Sequence, residues 1–290
     1  MNPLKFAVIG GDMRQVKLAT LLAADGHTVS AFAIDQVRPE GAHLAASFQI
    51  ATKDADCVLF PLPLMRSCAL HTPLSDMVLS LDEVFTALDP AQLVCGGRID
   101  EATHKHAATY GLTLLDYFTR EELVIANAAA TAEGALQVAM EATPTVLLGT
   151  RALVLGFGRI GKILSHRLRA LGAHVTASAR NYADLAWISA YGYESLHTDY
   201  LDGKLGGYSI LFNTIPHPIL DTNRLQTLNP DTLCIDLSSK PGGIDFAAAA
   251  ALGLKTIWSL GLPGEVAPVT AATIIRDTIY NILAEQGTFL

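Results

Sequence analysis

The chain has 290 residues, is 50% hydrophobic and only 17% charged, and carries a formal net charge of −8. That length and apolar content suit one large or two medium globular domains. An acidic chain with no basic cluster argues against nucleic acid or an anionic membrane surface as partner. The cysteines Cys57, Cys68, Cys95 and Cys234 are widely spaced and form no CxxC pair, so neither a disulfide framework nor a metal site is expected.

The opening residues, Met1-Asn2-Pro3-Leu4-Lys5, run directly into an apolar strand over 6–9 without a signal-peptide pattern. No apolar run is expected to span a bilayer, and the reading is therefore a cytoplasmic protein. The first strand stops at Gly10-Gly11. A helix is predicted over 14–24, with Val16, Leu18, Leu21 and Leu22 inward, and a strand over 28–32. Further strands are predicted over 57–60, 92–95 and 112–115, each ending at Pro, Gly or Asp. Residues 121–141 are mostly Ala, Leu, Val and Met, a strong helix composition, and read as one or two crossover helices ended by Pro144.

The second unit is predicted to run strand 152–155, helix 159–171, strand 174–179, helix 184–191, and strands 210–213, 233–237 and 256–258. A helix over 268–284 is expected to return to the first domain. Alternating strands and helices imply an α/β chain with two Rossmann-like domains, parallel sheets, interdomain helices and that returning helix. The expected division is residues 1–128, a crossover at 129–145, a nucleotide-binding domain at 146–265 and a C-terminal helix at 266–290.

The strongest chemical signal is Gly156-Phe157-Gly158-Arg159-Ile160-Gly161, between a strand and an amphipathic helix with Ile160, Ile163, Leu164, Leu168 and Leu171 on one stripe. In a dinucleotide fingerprint the first glycine permits the tight turn and the second lets the backbone approach the pyrophosphate. The third lets the helix pack closely, and N–H groups at the helix start face the phosphates. The next strand ends Ser178-Ala179-Arg180-Asn181, without the acid that usually holds the ribose of NAD. Arg180, helped by Ser178 or Asn181, points to NADP, with NAD possible. Gly10-Gly11 lacks the third glycine and is not a second fingerprint.

Five segments combine over the chain: Gly10-Gly11-Asp12-Met13-Arg14-Gln15, Thr131-Ala132-Glu133-Gly134, Asn213-Thr214-Ile215-Pro216, Asp236-Leu237-Ser238-Ser239-Lys240-Pro241-Gly242-Gly243, and Gly261-Leu262-Pro263-Gly264-Glu265. In order and spacing they resemble the family of the dipicolinate synthase A component. The resemblance implies a spore-former's mother-cell enzyme that makes pyridine-2,6-dicarboxylate from a dihydro or hydroxy-tetrahydro precursor of the lysine pathway. It implies NAD(P)+ as hydride acceptor and a second, flavoprotein-like subunit, the B component, as partner, besides homo-oligomerisation. Two positions depart from the family pattern: Lys240 stands where Arg is common, and Val269 where Lys is common.

A substrate with two carboxylates needs placed cations in an acidic protein. Asp12, Arg14, Thr131, Lys240 and Pro263, in the matched segments, are the candidate substrate-binding residues; Arg14 could equally be an exposed helix residue. Glu133, Asp236 and Lys240 are the candidate catalytic residues. Glu133 is either a base or a helix hydrogen-bonding group, and Asp236 would orient a partner. The candidate cofactor residues are Gly156, Gly158, Arg159, Ile160, Gly161, Ser178, Arg180, Asn181, Asn213, Thr214, Ile215 and Pro216. The alternatives are another two-domain dehydrogenase of a small carboxylic acid, or a non-catalytic NADP-binding sensor or scaffold.

Overall fold

The computed structural model describes residues 2–287. The first elements are β1 (Lys5–Ile9), α1 (Met13–Ala24), β2 (Thr28–Phe32), β3 (His43–Leu44), α2 (Phe48–Thr52), β4 (Cys57–Leu59), β5 (Met65–Arg66), β6 (Ala69–Leu70), α3 (Leu81–Thr86), β7 (Leu93–Gly96), α4 (Glu101–Thr109) and β8 (Leu114–Asp116). A single helix α5 (Glu121–Ala142) follows. Then come β9 (Arg151–Leu155), α6 (Arg159–Ala170), β10 (His174–Ala179), α7 (Tyr182–Ala190), β11 (Glu194–His197), β12 (Ile210–Asn213), α8 (Thr222–Leu225), β13 (Leu233–Asp236), α9 (Phe246–Ala251), β14 (Lys255–Trp258), α10 (Leu262–Val266) and α11 (Pro268–Glu285).

Two six-stranded sheets result, ordered β3-β2-β1-β4-β7-β8 and β11-β10-β9-β12-β13-β14, with parallel pairing throughout. Both have the doubly wound order in which the strand sequence reverses beside the first strand. Ligands bind outside the carboxyl ends of the strands at that reversal. The chain is thus α/β with two Rossmann-like units, as the alternation of elements predicts.

One compact unit comprises residues 1–127 with 267–290, and the other 128–266. In the first, α11 packs against α1: Ala272, Ile275, Ile279 and Ile282 join Leu18, Ala19 and Leu22 in one core. In the second, alternation along β9 sends Leu153 and Leu155 into a core with Leu201, Leu205 and Leu211. It sends Ala152 and Val154 into another with Leu164 and Leu168 of α6 and Ala132, Ala135 and Ala139 of α5. Burial on both faces is why these strands are continuously apolar. Close packing is also local: a Cβ at Gly134 of α5 would come within 3.1 Å of Leu262 and Val266 of α10.

Four expectations change. The segment predicted at 112–115 pairs as Leu114–Asp116. Strand β11, Glu-Ser-Leu-His, was not predicted, because it is a short edge strand without β-branched residues. Leu171, assigned to the inward stripe of α6, is 43% exposed at the helix end. Contrary to the expectation for apolar runs, α5 is long and apolar enough to cross a membrane by length and composition, with a mean hydropathy of 1.3. Half of that stretch is buried, in the packing just described.

Candidate functional site

The two units begin with the same strand–turn–helix, and comparing them residue by residue separates their chemistry. In the second unit β9 runs into Gly156, whose φ of +92° belongs to the left-handed region. A Cβ there would lie 2.5 Å from Thr214 Oγ1 and 2.9 Å from Ile215, so this turn accepts only glycine. A Cβ at Gly161 would overlap the carbonyl oxygen of Gly156, so α6 can sit this close to the turn only without a side chain there. Gly158 is different. Its φ is −78°, and a Cβ would meet nothing within 4 Å. The chain's own packing does not require this glycine. It leaves room at the start of α6, and as N-cap it supplies no side-chain acceptor to the helix.

In the first unit Gly10 aligns with Gly156, Asp12 with Gly158 and Gln15 with Gly161. Asp12 has nearly the same N-cap conformation (φ −96°, ψ −162° against φ −78°, ψ −161°), but its carboxylate accepts from the backbone N–H of Arg14 at 3.0 Å. A Cβ on Gly11 would run into Gln15 and Pro61, and Gln15 donates to Phe60 O at 2.9 Å. The first unit fills the start of its helix with an internal anion, whereas the second leaves it open. A helix N-terminus attracts negative charge through its unpaired N–H groups and the helix dipole. Of the two units, only the second leaves the start of this helix open.

The loops around this turn are held by polar contacts. Ser178 is fully buried; its Oγ accepts from Gly156 N at 3.3 Å and from Thr198 Oγ1 at 3.2 Å. It braces the glycine turn, which corrects its expected part in a phosphate site: alternation along β10 turns it inward. Asn181 is likewise occupied, as the N-cap of α7, accepting from Asp184 N and donating to Asp184 Oδ2, both at 2.7 Å. Arg180, between them, is exposed at the carboxyl end of β10. Arg159 and Ile160 form the first turn of α6, exposed and half-buried.

Asn213, at the end of β12, is buried and donates to Ile215 O, Asp236 Oδ1 and Ser238 Oγ at 3.0, 2.9 and 3.3 Å. Asp236, at the end of β13, also accepts from Ser238 N, Ser238 Oγ, Gly243 N and Ile244 N. A carboxylate held by this many donors acts as a clamp, in keeping with the expectation that Asp236 orients a partner. It fixes the 238–244 loop against the 213–215 turn, and Trp258 Nε1 donates to Ser238 O at 2.9 Å to brace the same loop. Lys240 is exposed on that loop. Thr214 donates to Leu155 O at 2.9 Å, and both it and Ile215 are half-buried beside Gly156. Pro216 is exposed; Pro263 is buried in α10.

Of the two alternatives for Glu133, the structure shows the hydrogen-bonding one. Its side chain is 66% exposed and paired with Arg167 of α6 at 2.7 Å. It lines a groove of about 620 Å³ with Leu136, Met140, Ala170 and Leu171. Arg167 lies two turns beyond Arg159, roughly 12 Å along the helix at 1.5 Å per residue. Glu133 therefore stands as an exposed, ion-paired acid on the α5–α6 surface.

Arg14 is neither an exposed residue nor a free carboxylate anchor. Its side chain is 10% exposed, with Nε and Nη2 donating to the Asp12 carboxylate at 2.9 and 2.7 Å and Nη2 also donating to Leu62 O. Burial alone would raise the Asp12 carboxyl, but hydrogen bonds and attraction from Arg14 outweigh it and hold the group below the ordinary carboxylate range. Thr131 is buried in α5.

Residues 5–118 match the family described as the N-terminal domain of the dipicolinate synthase A component. The chain is 34% identical to the A component of dipicolinate synthase from Bacillus subtilis (strain 168), over 98% of this chain and 97% of the relative. The crystal structure of that component from Bacillus subtilis superposes with a TM-score of 0.87 at 32% identity, covering 98% of this chain and 97% of that one. Its counterpart from Bacillus halodurans gives 0.88 at 30% identity, with 97% and 98% covered. A transhydrogenase from Sinorhizobium meliloti, at 17% identity and a TM-score of 0.69, shares the fold over 93% of this chain and 88% of its own.

Proposed function

Because the chain belongs to the family of the dipicolinate synthase A component, we propose that it oxidises dihydrodipicolinate, or its hydroxy-tetrahydro precursor, to dipicolinate with NADP+ as hydride acceptor. It works in the cytoplasm of the mother cell of a spore-former, beside the flavoprotein-like B component and as a homo-oligomer. The observation that carries the dinucleotide reading is Gly158: the one glycine of the fingerprint whose missing side chain leaves open space instead of relieving an internal clash.

Gly156 and Gly161 shape the turn, and the first turn of α6, Arg159 and Ile160 included, would hold the pyrophosphate. Thr214, Ile215 and Pro216 would line the side of the turn facing β12, positioned by Asn213 and Asp236. Arg180, with no acid beside it at the end of β10, would pair with a 2′-phosphate and so favour NADP over NAD. Bound there, the nicotinamide would supply the acceptor for the hydride that aromatisation releases. Dihydrodipicolinate loses one hydride and one proton to become dipicolinate; the hydroxy-tetrahydro precursor first loses water. With Glu133 ion-paired and Asp236 saturated, the proton leaves to water, and the protein contributes mainly by positioning. Lys240 would anchor one carboxylate from the 238–244 loop as a point charge, without the two-pronged grip of an arginine. Arg14 reaches a carboxylate only by exchanging it for Asp12.

The test is to mix the chain with the B component and the product of dihydrodipicolinate synthase, and to follow reduction of NADP+ and of NAD+. Faster reduction of NADP+ is expected. Equal rates would remove the argument from Arg180, and no reduction of either would remove the oxidoreductase reading.

A further inference from the structure

The glycine turn accounts for the pyrophosphate but for nothing beyond the ribose, and exposed aromatic rings lie just past it. Tyr182 opens α7 at the carboxyl end of β10 and is 76% exposed; Tyr200 closes the single 3-10 turn after β11 and is 61% exposed. Between them lies His197, the last residue of β11, its side chain 15% exposed. The three rings form a ladder: His197 is centred 5.7 Å from Tyr182 and 4.8 Å from Tyr200, with tilts of 50° and 39°. The His197 ring is pinned from behind, because Nδ1 accepts the backbone N–H of Asp199 at 3.2 Å.

Large aromatic side chains usually bury their faces, and two exposed tyrosines flanking a third ring leave apolar surface open to water. Their place in the fold gives that surface an occupant. β10 and β11 are parallel neighbours, Ala179 opposite His197, so Arg180 and the ladder stand at the same sheet edge as the glycine turn. The two are linked through one buried side chain: Ser178 Oγ accepts from Gly156 N in the turn and from Thr198 Oγ1, next to His197. In a doubly wound sheet the pyrophosphate sits at the first helix and the ribose at the end of the second strand. The base carried by that ribose extends outward, toward the third strand. In this unit the third strand is β11, and what it offers there is the ladder.

We propose that Tyr182, His197 and Tyr200 form the stacking platform for the purine base of the dinucleotide, with Tyr182 and Tyr200 presenting the faces and His197 holding them in register. The proposal rests on the dinucleotide reading above and assigns its base-recognition end. It separates two tasks: the platform binds adenine in NAD and NADP alike, while Arg180 discriminates the 2′-phosphate. The Ser178 bridge couples the platform to the turn, so base and pyrophosphate are positioned by one hydrogen-bonded unit.

The test is isothermal titration of the purified full chain with NADPH, NADH and adenosine 2′,5′-bisphosphate, which carries the base and no nicotinamide. Stacking of a base on an aromatic ring, lost by alanine substitution, corresponds to about a 5- to 150-fold weakening. Tyr200→Ala and Tyr182→Ala should each weaken all three ligands within that range. Tyr200→Phe should restore binding, since a stack needs the ring and not the hydroxyl. Both tyrosines are exposed, so neither truncation opens the core. A parent chain that binds NADPH, with both alanine variants within twofold of it, overturns the platform and leaves the dinucleotide reading intact. Loss of affinity in Tyr200→Phe equal to that in Tyr200→Ala also overturns stacking, in favour of a hydroxyl contact. A parent chain that binds none of the three ligands overturns the dinucleotide reading and the platform with it.

Discussion

The first unit already carries the substitution that should disable the second. Asp12 and Gly158 occupy the same N-cap position with nearly the same backbone angles, so Gly158→Asp transfers the internal anion of α1 to the start of α6. No Cβ contact opposes it. As a cap, aspartate improves on glycine by only a few tenths of a kcal/mol, so the melting temperature should hold or rise slightly. Against a pyrophosphate the same carboxylate is a like charge at about 4 Å. With an effective dielectric of about 20, that repulsion is about 4 kcal/mol, or roughly a thousandfold in Kd. Gly158→Asn caps the helix equally well without the charge, so the difference between the two variants isolates the electrostatic part. Calorimetric titration with NADPH, paired with thermal melts, measures both quantities. A folded Gly158→Asp protein with parental affinity would refute the argument that the open start of α6 is the pyrophosphate site.

Other expectations follow from the same contacts. Arg180→Ala should weaken NADPH by about 10- to 100-fold, the worth of a charge-assisted bond, and leave NADH unchanged in parallel titrations. Arg14→Ala should cost about 1.5–3 kcal/mol of stability at neutral pH by stranding the Asp12 carboxylate, read from urea unfolding. The Asp12 carboxyl titrates below its ordinary value of 3.8 in the folded chain, so its contribution is present above that value and fades as pH falls through the lower folded one. The gap between parent and Arg14→Ala should therefore narrow in melts below about pH 3.8. Asp236→Asn replaces an acceptor with a partial donor facing the N–H groups of Gly243 and Ile244, and should cost about 1–3 kcal/mol in stability. It should also weaken NADPH binding through the displaced 213–215 turn, which titration of the refolded variant would detect.

The glycine turn was legible because each of its glycines answers to a local rule: a left-handed φ at Gly156, open space at Gly158 and a close helix contact at Gly161. The alternation that makes β9 apolar on both faces was legible for the same reason. What escaped depends on partners distant in sequence. The two alternatives for Glu133 could not be separated until Arg167, thirty-four positions away, was found beside it. Ser178 and Asn181 flank Arg180 and looked like its helpers, but strand alternation buries the first and helix capping occupies the second. Arg14 could be placed at a helix start, yet its bond to Leu62 O depends on a segment forty-eight residues on. The aromatic ladder was missed because β11 gives no strand signal. The available clue was the run of aromatic rings after the end of β10, at Tyr182, His197 and Tyr200.

The central claim, that this chain couples aromatisation of the dihydro-dicarboxylate to reduction of NADP+, is tested most directly by quantifying both products in one reaction. With the B component and freshly generated dihydrodipicolinate, NADPH and dipicolinate should appear in equal amounts, and both should vanish when Gly158→Asp replaces the parent chain. Dipicolinate formed at the parental rate with the Gly158→Asp chain, or without matching NADPH, would contradict it.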